Sequence, residues 1–375
     1  MELSLNETQL LVQKSARDFA TRVILPRAAE IDRTENFPRD IMKGLADLGL
    51  CAVNVPEELG GAGAGVVSYA LAMQEVARAC ASTAVTMAVT NMVGEVIARF
   101  GTDAQKNHCC PKLASGEWVA GSFALSEPEA GSDPGAMRTT ARREGDAWIL
   151  DGSKQWITSG AYAGVMVVWA RTGGAGTKGI SCFLVEGGAP GLRIGKAENK
   201  MGLRGSNTVS LQFENCRAEL LGEENSGFRI AMMALDGGRI GISSQAIGIA
   251  RAALDESVQY AKDRKAFGKP ISEFQAIQWK LADMRMELDA SHLLCMRAAS
   301  MKERGVPFSK EASMSKVFST EAAVRVCNEA VQIHGGYGYV KEFPAERHLR
   351  DVRVTTIYEG TSEVQRIVIA RNLLA

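Results

Sequence analysis

The segment Arg353-Val-Thr-Thr-Ile-Tyr-Glu-Gly-Thr-Ser-Glu-Val-Gln-Arg366 places one carboxylate, Glu359, just ahead of a helix start. That start is signalled by Ser362 with Gln365 three residues on, a capping-box spacing, followed by the apolar residues Val364, Ile367 and Val368. Gly360 lets backbone come close to whatever docks beside the carboxylate. A carboxylate on a short loop before a helix can reach a ligand proton. The same placement also suits an acidic residue that only favours the helix dipole.

Other familiar chemistries are missing. Gly60 to Gly65 is rich in glycine but lacks the GxGxxG register and does not follow a clear strand. Gly268-Lys269 is followed by Pro270, so it is not a phosphate loop. There is no GxSxG elbow, and Ser313-Met-Ser-Lys316 matches SxxK without its companion motifs, which reads as chance. A nicotinamide Rossmann enzyme, a nucleoside triphosphatase and an α/β-hydrolase are disfavoured. The four histidines form no HExxH, the eight cysteines form no CxxC, and no metal-ligand spacing pairs the two residue types, so no metal site is expected.

The elements that must position these residues fall into blocks. Glu7 to Val23 carries a one-face apolar pattern, and helices are expected at Ile41 to Leu50, Val66 to Ala79, Thr83 to Phe100 and Asp103 to Leu113. The pattern changes near Gly116. Trp148 to Thr158 reads as a hairpin turning at Asp151-Gly152, and β-rich runs follow at Val165 to Ala170, Ile180 to Val185 and Val209 to Phe213. The helical period returns at about Phe228 to Lys262, Phe274 to Glu303, Ser309 to Ile333 and Glu363 to Leu373. Helices, then strands, then helices argue for a multi-domain α+β chain in which all-α domains flank a β-barrel. The expected divisions are an N-terminal all-α domain at 1–116, a middle β-barrel at 117–226 and a C-terminal helical bundle at 227–375.

Composition narrows the partners. Lysine plus arginine (43) equals aspartate plus glutamate (43), which gives no electrostatic footprint for nucleic acid or an anionic membrane. The cysteines are expected to be buried, reduced thiols. The start Met-Glu-Leu-Ser-Leu-Asn-Glu has neither a basic nor an apolar leader region. Ala79 to Gly94 is interrupted by Ser82, Thr83, Thr86, Thr90 and Asn91 and is expected to be a buried core helix rather than a membrane span. A soluble protein is expected.

Four more segments complete a constellation with Glu359: Phe123-Ala-Leu-Ser-Glu-Pro-Glu-Ala-Gly-Ser-Asp133, Lys154-Gln-Trp-Ile-Thr-Ser-Gly160, Arg264-Lys-Ala-Phe-Gly-Lys-Pro270 with Phe274-Gln275, and Gln332-Ile-His-Gly-Gly-Tyr-Gly338. Taken in order from about residue 5 to the C-terminus, the set closely resembles the acyl-CoA dehydrogenase family. Cys80-Ala-Ser-Thr and Leu235-Asp-Gly-Gly-Arg-Ile-Gly-Ile look most like its short-chain, butyryl-CoA branch.

The resemblance implies a homotetramer of FAD-bearing subunits, each with an N-terminal helical domain, a middle β-barrel and a C-terminal four-helix bundle. It implies oxidation of a short-chain acyl-CoA to the trans-2-enoyl-CoA, with electrons passed to an electron-transferring flavoprotein. Glu359 matches the family's catalytic base, which takes the α-proton while the β-hydride moves to flavin N5. Hydrogen bonds to the thioester oxygen, one from the base's own N–H, would stabilise the developing enolate. Burial beside an acyl chain would raise the base toward working pH.

Trp156 and Thr158 match residues at the flavin ring, although a tryptophan there could also be a core aromatic of the strands. Phe123, Leu125 and Ser126 match flavin contacts. Ser132 matches a contact to the CoA moiety, and either serine could otherwise be a turn residue. Arg264, Phe267 and Gln275 match groups that hold the FAD of an adjacent subunit, and Gln332, Gly335 and Gly336 match the adenine and pyrophosphate clamp. His334 within that clamp is expected to be structural. Thr361 and Glu363 match further FAD contacts at the helix start. Asp236 and Arg239 match substrate-side positions, as does Gly360 beside the base, while the glycines near Asp236 could equally serve close helix packing.

Where some branches carry the base on the long helix, this chain has Gly238, and at the position of an arginine that reads a distal carboxylate it has Ala84. A dicarboxylic substrate is therefore not expected. Glu129 stands where relatives often have glycine. Met87, Asn91, Leu235 and Ile242 are candidates for the acyl pocket or for the core. A branched short-chain substrate, an oxidase and a catalytically silent flavoprotein are the alternatives. The oxidase is disfavoured by the lack of a long C-terminal extension. A role in fatty-acid β-oxidation is implied. The start methionine favours a bacterial cytoplasm over a processed mitochondrial matrix protein.

Overall fold

The computed structural model describes residues 4–374; Met1, Glu2 and Leu3, where the sequence was read for a leader, and Ala375 lie outside the described residues. The first block is helical: α1 (Glu7–Phe19), α2 (Ala28–Thr34), α3 (Arg39–Asp47), α4 (Gly65–Ala79), α5 (Ala81–Phe100) and α6 (Asp103–Ala114). Asn6 and Gln9 close a reciprocal capping box at the head of α1, as Thr102 and Gln105 do for α6. The helical path does not stop before Pro26. A π turn, Ala20–Ile24, leads into a 3₁₀ turn, Leu25–Arg27, whose proline sits where no N–H is needed. α5 is long and apolar enough to cross a membrane by composition, but it is almost wholly buried inside the fold.

The middle block has seven strands: β1 (Gly121–Ala124), β2 (Thr140–Glu144), β3 (Ala147–Thr158), β4 (Val165–Arg171), β5 (Ile180–Glu186), β6 (Leu192–Ile194) and β7 (Thr208–Leu221). β4 pairs with β2, β2 with β3, β3 with β7, β7 with β5, and β5 again with β4, so the sheet closes on itself. β1 and β6 attach to β4 and β7. Closure leaves few edges to protect. Its interior is filled by Leu150, Val168, Phe183, Leu211 and Phe213.

The expected hairpin turn at Asp151-Gly152 is not there. β3 runs straight through both residues, and the reversal between β2 and β3 falls at Gly145 and Asp146 instead. Asp151-Gly152 is a β-bulge, where the register with β7 slips between Leu150 and Gly152. Gly152 has φ +143, and a Cβ there would lie 2.7 Å from the backbone of Thr139. The glycine allows a close approach of neighbouring chain, a use that a turn dipeptide does not reveal.

The last block contains α7 (Gly227–Asp263), a two-strand ribbon β8 (Lys265–Ala266) and β9 (Lys269–Pro270), α8 (Gln275–Glu303), α9 (Ser309–His334), the short α10 (Gly336–Tyr339), α11 (Ala345–Val352) and α12 (Ser362–Leu374). α7, α8 and α9 pack on one another and α12 packs on α9. One core cluster joins α4, α5, α7, α8 and α9, so the first and last blocks share apolar interior. The eight cysteines are all buried free thiols.

Candidate active site

Glu359 sits at the junction of a 3₁₀ turn, Arg353–Thr356, and α12, in left-handed backbone with φ +52, and Gly360 follows at φ +89. A non-glycine residue held there stores strain and must be fixed by its surroundings. The fixing groups are explicit. Gln365 Nε2 donates to the carbonyls of Glu359 (3.2 Å) and Gly360 (2.9 Å), and Lys316 Nζ donates to the Gly360 carbonyl (2.8 Å). The capping expected of Ser362 is done by Thr361, whose Oγ1 accepts from the Val364 N–H. Ser362 is already the first helical residue, and Gln365 reaches back to carbonyls rather than closing a capping box. The left-handed turn at Glu359-Gly360 shifts the cap one residue earlier than the spacing suggests.

The carboxyl lies against α7. A Cβ built on Gly238 would collide with Glu359 Oε2, standing 2.9 Å from Glu359 Cδ and 3.2 Å from Met92 Sδ. Oε2 is buried and has no hydrogen-bond partner among the described residues. Burial pushes the Glu359 carboxyl up to about 7, against the opposing pull of the Lys316 and Arg239 cations. Arg239 is itself buried and engaged: it pairs with Asp236 on the preceding turn and donates to Ser313 Oγ (3.1 Å). Asp236 also accepts from Ser309 Oγ (2.9 Å), and burial raises its carboxyl against the Arg239 charge.

Gly238 and Met92 belong to the wall of a cavity of about 1000 Å³, which Asn54, Tyr69, Asn91, Asp236 and the Lys302–Glu95 ion pair also line. Glu359 does not itself line this cavity; its carboxyl lies against Gly238, which does. Of the four pocket candidates, only Asn91 lines it. Its amide is tied to the Val53 N–H and to the Leu50 and Met87 carbonyls. Met87 and Ile242 are fully buried core, and Leu235 packs, as Phe123 does, against the cluster that joins α5 and α6 to the barrel strands. Sequence periodicity gives a helix face, and here the face turned to the core is wider than the face turned to the cavity.

Trp156 and Thr158 lie at the end of β3, where a second register slip falls between Lys154 and Ile157. Trp156 has φ +62 and is 62 % exposed, so it is no core aromatic: the bulge turns the indole out of the barrel. Beneath it, Lys154 is fully buried and donates to the Leu125 carbonyl (3.1 Å) and to Glu127 (2.7 Å). Glu127 accepts in turn from the N–H groups of Arg138 (2.6 Å) and Thr139 (3.0 Å). This ion pair binds the loop carrying Leu125, Ser126 and Ser132 to the strand carrying Trp156 and Thr158. Phe123 is in β1, with its ring 4.2 Å from that of Trp169. Ser132 is exposed and lines neither cavity described here. Glu129 pairs with Arg138 at 2.7 Å across the same loop, which is where its carboxylate goes.

Arg264, Gly335 and Gly336 meet at a second cavity of about 450 Å³, together with Tyr260, His334 and Tyr337. Among the described residues nothing beyond the chain neighbours lies within 4 Å of a Cβ built on Gly335 or Gly336, so bare backbone faces open space in a cavity shared with a guanidinium. That combination suits a phosphate-bearing ligand. His334 is buried, bonded to the Ala330 carbonyl and stacked on Tyr260 (4.3 Å), a structural setting. Phe267 projects from the β8–β9 ribbon at φ +50 and is 95 % exposed, while Gln275 and Gln332 are also exposed at the ends of their helices. Thr361 and Glu363 stand at the head of α12. Sequence reading missed Lys316, and an orphan SxxK was its only signal.

Family models for the acyl-CoA dehydrogenase N-terminal, middle and C-terminal domains match residues 6–117, 122–216 and 225–374. The chain is 51% identical over 378 residues to the mitochondrial short-chain specific acyl-CoA dehydrogenase of Bos taurus, covering 99% of this chain and 91% of the relative. Its fold matches butyryl-CoA dehydrogenase from Megasphaera elsdenii with a TM-score of 0.98 at 42% identity, covering all of both chains. It matches equally a chain in a structure described as the electron transferring flavoprotein of Acidaminococcus fermentans, with a TM-score of 0.98 at 43% identity over all of both chains.

Proposed function

The chain belongs to the acyl-CoA dehydrogenase family of oxidoreductases, and from that membership we propose that it oxidises a short-chain acyl-CoA to the trans-2-enoyl-CoA with Glu359 as the base. The observation that carries the reading is the Glu359 carboxyl: buried, unpartnered at Oε2 among the described residues, raised to about 7, and set against Gly238, which lines a cavity large enough for an acyl thioester. A general base needs its protonation midpoint near working pH, and a carboxylate tied into an ion pair would lack it.

Glu359 takes the α-proton onto its free oxygen. Its own backbone N–H is the proposed donor to the thioester oxygen, where enolate charge develops. Asp236, Arg239, Gly360 and Ser132 are the proposed substrate contacts. In this reading Asp236 and Arg239 act from the helix that forms one wall of the cavity.

FAD, when bound, supplies the acceptor for the two electrons that leave with the β-hydrogen. Bare glycine backbone and a guanidinium around the 450 Å³ cavity, and an indole turned outward beside the barrel loop, fit that group. Phe123, Leu125, Ser126, Trp156 and Thr158 would hold its ring portion. Gln332, Gly335, Gly336, Thr361 and Glu363 would hold an FAD phosphate and adenine portion, Gly335 and Gly336 sharing their cavity with Arg264. Arg264, Phe267 and Gln275 would serve the FAD of a neighbouring subunit, and a homotetramer is the proposed assembly. An almost fully exposed phenylalanine on a ribbon fits that use.

We place the domain divisions after residues 116 and 226, the electron acceptor as an electron-transferring flavoprotein, and the role in short-chain fatty-acid oxidation. Related enzymes come from both bacteria and mitochondria, and either a bacterial cytoplasm or a mitochondrial matrix suits the reading. The test is an anaerobic titration of the purified protein with butyryl-CoA, following oxidised-flavin absorbance. Bleaching near stoichiometry, with enoyl-CoA formed, is expected. A yellow protein that does not bleach with butyryl-CoA rules out the short-chain assignment.

A further inference from the structure

We propose that Lys316 is a positioning residue for Glu359: it clamps the left-handed turn that carries the carboxyl, and its buried positive charge holds that carboxyl in its basic form. The inference rests on the reading of Glu359 as the base. Lys316 lies on the face of α9 turned to α7, between Ser313 and Thr320, and its side chain is wholly buried. A buried ammonium is normally matched by a carboxylate, because leaving the charge uncompensated costs several kcal/mol. Here its hydrogen bond goes instead to a backbone carbonyl, that of Gly360, the residue after the base. Glu359 shows the complementary oddity, a buried Oε2 with no hydrogen-bond partner among the described residues. Held on the carbonyl next to the base, the ammonium acts on the Glu359 carboxyl through charge and forms no ion pair with it among the described residues, so that carboxyl stays free to accept a proton.

The surrounding charges leave that task to Lys316. From α7, Arg239 adds a smaller pull on the carboxyl than Lys316 does, and it is paired with Asp236. From α4, Tyr69 is buried and its phenol is held far above its usual range by burial and by Glu359. Tyr358, next to the base, donates to Gln245 and is shifted in the same direction. Glu95 lines the same cavity but pairs with Lys302. Glu363 and Glu321 act on Lys316 more weakly than Glu359 does, and Glu321 pairs with Arg366. Burial brings Lys316 down to about 8, with Glu359 opposing the shift, so near neutral pH each of the two groups stabilises the charged form of the other.

The clamp and the charge can be separated, because Gln365 holds the same Gly360 carbonyl with a neutral amide. The experiment compares the flavin-containing wild type with Lys316→Met, Lys316→Gln and Gln365→Leu. It reads two quantities against pH under anaerobic conditions with butyryl-CoA: the rate of flavin bleaching, and the rate of deuterium entry at the thioester α-carbon by mass spectrometry. Flavin content and melting temperature report folding. Loss of the cation is expected to move the midpoint of both profiles upward by about one unit and to lower the rate at neutral pH about tenfold, since a unit of pKa is a factor of ten in ionisation. Lys316→Gln keeps a donor and loses the charge, and the same shift is expected. Gln365→Leu is expected to lower the rate with the midpoint unmoved. A wild-type midpoint in both Lys316 variants overturns the proposal, as does an equal shift in Gln365→Leu. Glu359→Gln is run alongside. If it bleaches like wild type, the assignment of the base has failed. If it is silent while the Lys316 variants keep the wild-type midpoint, only the role of Lys316 has failed.

Discussion

The Glu359 carboxyl rests on the bare backbone of Gly238, with no room for even one carbon between them. The base therefore depends on an absent side chain on α7 as much as on its own loop. Gly238→Ala would push the carboxyl and Met92 aside while keeping a good helix former in α7. A displacement of this size at a reacting centre is expected to reduce the rate about a hundredfold. The measurement is flavin bleaching by butyryl-CoA in a variant whose far-ultraviolet circular dichroism matches wild type. Undiminished bleaching would mean that the carboxyl moves freely in the substrate complex.

The protonation of Glu359 gives a signed pH dependence. Its carboxyl is raised from 4.5 to about 7 by burial, and only the deprotonated form takes a proton. The rate of the reductive half-reaction should therefore rise with pH through about 7 and then level off. A profile flat from pH 5.5 to 8 would contradict the assigned environment.

The same shift makes a stability prediction. A carboxyl raised in the folded state favours folding while it is protonated, and that contribution is lost as pH rises from the unfolded value through the folded one. Glu359→Gln removes the charged form. It should stabilise the fold over wild type at pH 8, by up to roughly 3 kcal/mol from a shift of this order and with a higher melting temperature, and do little at pH 4.5. Thermal melts at the two pH values check it, and a gain that is equal at both would point to packing instead.

Trp156 predicts a trade between strain and cofactor holding. Its φ of +62 is costly for an aromatic residue, by about 1–3 kcal/mol, and glycine adopts it freely. Trp156→Gly should leave the flavin-free barrel as stable as wild type or more so. It should also weaken flavin retention at least tenfold, which dialysis and fluorescence would measure. Unchanged retention would remove the indole from the proposed flavin site.

The Lys154–Glu127 pair predicts a large single-site penalty. Lys154→Met leaves Glu127 buried beside two backbone donors with no cation, a break that costs about 3–5 kcal/mol. The double variant Lys154→Met, Glu127→Gln should recover part of this. Chemical denaturation of the three proteins supplies the comparison, and a single variant as stable as wild type would show that the loop at 125–139 is held otherwise.

Much of the fold was legible from local pattern. α4, α5, α7, α8 and α9 bury an apolar stripe that repeats with the helical period, so composition along a dozen residues suffices to place them. What failed were features whose meaning depends on a distant partner. Asp151-Gly152 reads as a turn by itself and becomes a bulge because Thr139 presses against it. Ser362 reads as a cap and is displaced by Thr361 because Glu359 and Gly360 take left-handed backbone. β1, β2, β6 and α11 are short or polar, and pairing or packing rather than propensity makes them.

By itself the sequence determined the order of helical and β blocks, the family and the residue types at the site, because these follow from patterns within continuous segments. Only the tertiary structure decided that Glu359 lies on Gly238, that Lys316 grips Gly360 and that a buried ion pair ties the 125–139 loop to the Trp156 strand. Each of those joins residues far apart in sequence within one block. Burial and the charges beside a group set its chemistry, and both exist only once the chain has closed around it.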